Sequence, residues 1–175
     1  MTTSTGQRVR RVLLVAAAAA AAVVTLAVAG GNWNDEQVSW QPYDKGIEAA
    51  KAQKKPVCLV FYTEWCPHCT RFSAVFHDSR VVEKSKQFVM IRLDKDKNKE
   101  ISAQYKPDGE YIPRTFFLSR EAQFDPDLHA PRDKFRYFYD ESAPEGILSG
   151  MDSALKKFAG APGAPAAAAA PPITP

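Results

Sequence analysis

The chain has 175 residues, room for one domain of ordinary size with a tail at either end. Its formal excess of +3 matches the three arginines Arg8, Arg10 and Arg11 of the first 29 residues, a stretch with no acid. Without that stretch 20 basic residues meet 20 acidic ones, so no net charge remains to draw the rest of the chain to nucleic acid or to an anionic surface.

In chain order, the arginines precede an apolar, alanine-rich run from Val12 to Ala29 that ends Ala27-Val28-Ala29. A positive start, an apolar middle and a small-residue end are the layout of a secretory signal peptide, and residues 1–29 are expected to be removed after Ala29. The rival reading is an uncleaved anchor, since 18 residues just span a membrane. Either way the chain is expected to be exported, free in or anchored facing a bacterial periplasm. Residues 30–37 form a short mature N-terminal segment, 38–158 the folded domain, and 159–175 an alanine- and proline-rich tail too poor in apolar bulk to order itself.

Within the domain, Asp44 caps a helix carrying Ile47 and Ala50, which Lys54-Lys55-Pro56 stops. The continuous apolar run Val57 to Tyr62 predicts a strand buried on both faces. Cys66 to Asp78 predicts a helix with Phe72, Val75 and Phe76 inward, and Arg80 to Lys86 a second, shorter one. Phe88 to Leu93 reads as another buried strand. The charge run Asp94 to Glu100 reads as a solvated loop leading into a helix near Glu100–Tyr105. Thr115 to Ser119 predicts a strand, and the charged/aromatic alternation of Lys134 to Tyr139 predicts an outer partner for it across the irregular stretch Arg120–Asp133. A last helix spans about Ala143 to Phe158, with Ile147, Leu148, Met151, Leu155 and Phe158 as its apolar stripe. Parallel strands joined by a helical crossover and followed by a hairpin make an α/β fold: a mixed sheet of four to five strands with helices on both faces.

Three cysteines in an exported chain are an odd number, and two of them lie close together in Cys66-Pro67-His68-Cys69. Cys66 follows a central strand and opens a helix, where unpaired N–H groups and the helix dipole stabilise a thiolate, the attacking species in disulfide exchange. Cys69 sits one turn along the same face, so the two sulfurs can close a disulfide, with Cys69 the more shielded. Pro67 fits the first helical turn, where its missing N–H costs nothing. His68 brings positive charge near the Cys66 sulfur, and a stabler thiolate makes a more oxidising couple. Trp65 offers an apolar platform for an extended substrate. The competing readings of such a pair are half a zinc site or an inert disulfide. Zinc needs four ligands, and Cys58, His77 and His129 supply no second close pair, so no metal site is assigned. Cys58 reads as a small buried hydrophobe, and Arg114 as a surface residue able to steer acidic substrates.

Phe61-Tyr62-Thr63-Glu64-Trp65-Cys66-Pro67-His68-Cys69 resembles the active-site segment of the thioredoxin superfamily. The Pro67-His68 dipeptide is the one found in the bacterial periplasmic oxidase DsbA. The compact length, Trp40, the run Tyr111 to Phe117 and Tyr137-Phe138-Tyr139 resemble the small single-domain proteins of the anterior-gradient type. The resemblance implies a thioredoxin-like fold over 38–158, catalytic Cys66 and Cys69, and a substrate-binding cis-proline at Pro113, preceded by Ile112. It implies no cofactor. One departure stands out: the buried acid that many such enzymes carry six residues before the first cysteine is here Val60. The expected function is thiol–disulfide exchange with cysteine-containing protein substrates, helped by a redox partner not identifiable from the sequence. The alternatives are a client-binding chaperone module with little redox turnover and a copper-handling protein.

Overall fold

A computed structural model describes residues 30–159. The expected signal segment 1–29 and the expected tail beyond Ala159 lie outside the described residues.

Four strands form one sheet: β1 (Trp40–Gln41), β2 (Val57–Tyr62), β3 (Val89–Asp94) and β4 (Arg114–Leu118), in the order β1-β3-β2-β4. β3 runs parallel to both β1 and β2, and β4 runs antiparallel to β2. Between them lie α1 (Tyr43–Gln53), α2 (Pro67–Ser73), a 3-10 turn (Ala74–His77), α3 (Ser79–Ser85), α4 (Lys99–Gln104) and α5 (Glu145–Ala159).

The central strand explains the layering. Five of the six residues of β2 are buried, as the unbroken apolar run predicts for a strand covered on both sides. Its odd and even residues point to opposite faces. Cys58 and Val60 join Phe72, Phe76, Ile147 and Met151 in one core, under α2, α3 and α5. Val57, Leu59 and Phe61 join Ala50, Ile91 and Phe116 in a second core, with Ile47 of α1 and Ile101 of α4 packed on it. Trp33, only 2% exposed, ties the segment before β1 into the first core, and its neighbours Trp40 and Tyr62 share the Arg92 guanidinium with it at 5.4–5.6 Å.

Four expectations need correcting. Asp44 does not cap the first helix: α1 starts at Tyr43 with Pro42 in the N-cap position, and Asp44 lies inside the first turn. The predicted helix Cys66 to Asp78 tightens into the 3-10 turn at Ala74, and Asp78 then caps α3 by accepting from the Arg80 N–H at 2.8 Å. Lys134 to Tyr139 is no fifth strand. Phe135 takes a left-handed φ of 53°, which breaks any extended ladder, and the segment holds to β4 through a single backbone bond, Thr115 N–H to Tyr137 C=O at 2.8 Å. Residues 120–144 therefore form an irregular strap across the edge of β4, closed off by Tyr137 stacking on Phe116 at 4.5 Å. Finally, Arg114 is fully buried rather than on the surface. It donates to Gly109 C=O at 2.8 Å and Ser102 Oγ at 2.5 Å and lies over the Phe61 ring at 5.2 Å.

Candidate active site

β2 delivers the chain to Tyr62, a short turn follows, and Cys66 becomes the N-cap of α2 with Pro67 as its first residue. Cys66 fills the capping role a Ser or Asp usually takes: its Sγ accepts the Cys69 N–H at 3.1 Å. Cys66 as a whole is only 3% exposed, and its Sγ faces the Ile112 carbonyl at 3.9 Å. The Ile112–Pro113 peptide bond is cis. Cys69 is wholly buried one turn further on, and burial, reinforced by its contact with Cys66, pushes its thiol far above the ordinary range. Both residues are thiols in this structure. Cys58 is likewise a buried thiol, pushed up by burial alone. Val60, where an acid stands in many such proteins, is fully buried and pairs in register with Thr115.

The other expected site residues gather at the same end of the sheet. Trp65 is 70% exposed beside Cys66, and its indole N–H donates to Asp96 at 2.8 Å. Neighbouring Glu64 accepts from Lys97 at 2.5 Å. The charge run read as a plain solvated loop thus braces the turn that carries the cysteines. His68 and Ile112 line a cleft of about 860 Å³, together with Tyr111, Phe135, Phe138 and Glu141. Phe135 is half exposed at the rim and meets the Tyr111 ring at 4.9 Å. Sequence reasoning missed Asp96, Glu141 and the strap's aromatic wall, because each reaches the site from a distant part of the chain. The one signal the sequence carries is the aromatic density of Tyr137-Phe138-Tyr139, whose alternation reads as a strand. Among the described residues no group of three or more metal-binding side chains occurs.

A family profile described as thioredoxin-like matches residues 39–119, the span from β1 to the end of β4. Over that span the chain is similar to the thioredoxin-like family. This thioredoxin-like domain is 27% identical to the human anterior gradient protein 2 homolog over 126 residues, 71% of this chain and 70% of that one. It is 28% identical to Xenopus tropicalis anterior gradient protein 3 over 127 residues, 70% and 74% of the two chains. A thioredoxin from Thermus thermophilus shares its fold with a TM-score of 0.54 at 20% identity, covering 70% of this chain and 90% of that one. A DsbH oxidoreductase does so with a TM-score of 0.52 at 21% identity, covering 89% and 95%.

Proposed function

We propose that this protein is a member of the thioredoxin superfamily and an exported thiol–disulfide oxidoreductase acting on the cysteines of other proteins through Cys66 and Cys69. The observation that carries the reading is the bond from the Cys69 N–H to Cys66 Sγ at the mouth of α2, with the second thiol buried one turn behind. Cys66 attacks, as a thiolate, one sulfur of a client disulfide. A Cys66–client S–S bond forms and the client's other sulfur leaves, taking up a proton. Cys69 then gives up its proton and attacks Cys66 Sγ, and the client departs with both thiols while the Cys66–Cys69 pair keeps the disulfide. Run backwards from the oxidised pair, the same steps donate a disulfide. Trp65, the Ile112–Pro113 turn and the cleft beside His68 hold the client backbone near Cys66, and Pro67 and His68 tune the couple.

An exported chain meets an oxidising compartment, where such a couple serves client maturation. Removal of residues 1–29 is read directly from the intact mass of the exported protein, and a mass retaining Met1 replaces the periplasmic reading by an anchored one. Among the described residues no helix is long and apolar enough to cross a membrane.

Separate Cys66→Ser and Cys69→Ser variants test the chemistry. Cys66→Ser abolishes exchange with a disulfide-bonded client, and Cys69→Ser accumulates a mixed disulfide. If client maturation proceeds unchanged in both, the oxidoreductase reading is lost and a client-binding module, built on the exposed Trp65 and Phe135, takes its place.

A further inference from the structure

The residue between Pro67 and Cys69 does not act alone. His68 Nδ1 lies 2.8 Å from Glu141 Oε2 and 2.9 Å from an Arg71 Nη atom. The other Glu141 oxygen accepts the Arg71 Nε–H at 2.6 Å. An Nδ1 that carries hydrogen donates to Glu141, and an Nδ1 without one accepts from Arg71, so this atom is committed to the pair in either tautomer. The His68 ring also meets the Phe138 ring in a T-shaped contact, with centroids 5.7 Å apart. Glu141 belongs not to α2 but to the strap before α5, and its side chain is 15% exposed while those of His68 and Arg71 are about half exposed. Its contacts thus bring one negative charge from far along the chain against the two basic side chains that follow Cys66 on α2.

We propose that Glu141 sets the redox poise of the Cys66–Cys69 pair: by neutralising Arg71 and holding His68, it makes the couple less oxidising than the Pro67-His68 dipeptide alone would. It is a positioning residue acting through His68 and Arg71. Positive charge near Cys66 stabilises the thiolate and hence the dithiol form. A carboxylate bound to the sources of that charge shifts the balance back towards the disulfide. The inference rests on the redox reading of the pair.

The test equilibrates the full-length protein with glutathione buffers, in which the protein disulfide and two glutathione molecules give the dithiol and one glutathione disulfide. Glu141→Gln keeps the size of the side chain and an acceptor for Arg71 while removing the charge. The equilibrium constant is expected to move three- to tenfold towards the dithiol, about 15 to 30 mV more oxidising. Glu141→Asp, which keeps the charge, stays within twofold of the parent. In a His68→Ala background the Glu141→Gln shift falls by at least half. A Glu141→Gln protein with a native unfolding curve and a constant within twofold of the parent overturns the proposal, as does an equal shift in Glu141→Asp. A parent protein that reaches no equilibrium with glutathione removes the redox reading and this inference with it. A parent couple that titrates while ignoring Glu141→Gln removes this inference alone.

Discussion

In the proposed exchange cycle, Cys69 and Val60 together decide how the second half proceeds. The Cys69 thiol is driven up by burial, and the fully buried side chain six residues before Cys66 is a valine that cannot take a proton. A group far below its pKa gains thiolate tenfold per pH unit. Release of a preformed mixed disulfide at Cys66, followed in single turnovers, is therefore expected to accelerate about tenfold per unit from pH 6.5 to 8.5 without a plateau. A flat profile would mean that another base serves Cys69. Glu64 is exposed and already engaged by Lys97, so it is poorly placed for that task. At this scale the sequence is legible in one short motif, where Cys66 and Pro67 open a helix as expected. It failed at Arg114, whose partners Gly109 and Ser102 lie in a loop and in α4. An arginine beside a loop proline carries no sign that a carbonyl, a hydroxyl and an aromatic face wait for it inside.

Elements with one strong period follow from the sequence, and those built from tertiary contact do not. β2, β3 and β4 are nearly continuous buried runs, and α5 shows its stripe plainly. β1 has only two residues, too few for any pattern, and exists because Trp40 and Gln41 pair with Met90 and Ile91. In the strap the alternation survives as burial, with Tyr137 and Tyr139 inside, but without a ladder. Asp108 supplies the missing hold: it accepts the Arg136 N–H at 2.6 Å and the Tyr111 hydroxyl, which in turn accepts the Tyr137 N–H at 2.9 Å. The packing of α1 on the sheet shows its tolerance at one point. A Cβ on Gly46 would stand 2.5 Å from two carbons of the fully buried Ile91. Gly46→Ala, favourable by helix propensity, is therefore expected to destabilise the protein by about 1–3 kcal/mol through overpacking. Urea unfolding measures it, and a stabilised variant would show that α1 can shift outward freely.

Across the whole molecule, burial on both faces of the sheet sets the alkaline limit of stability. Cys58 and Cys69 ordinarily ionise near 9.0, and Tyr105 and Tyr139 near 10.0. All four are pushed well up in the native state, chiefly by burial. Above pH 9 the unfolded chain loses these protons while the native chain keeps them, so the native state binds more protons and stability falls as pH rises. Each such group contributes a slope of about 1.4 kcal/mol per pH unit. The urea midpoint is expected to hold up to about pH 8.5 and to fall steadily from there to pH 10.5. Cys58→Ala, whatever it costs at neutral pH, should make that fall shallower by one group's share. A midpoint unchanged at pH 10.5 would contradict the burial of these groups.

The three indole rings are shared out unevenly. Trp33 is sealed in the core, Trp40 is half-buried with its N–H on the Trp33 carbonyl, and Trp65 stands in solvent next to Cys66. A small quencher such as acrylamide thus reaches mainly the ring beside the cysteines, and ultraviolet emission becomes a local gauge. Whatever settles over that end of the sheet dims or shields its light, and no dye has to be attached.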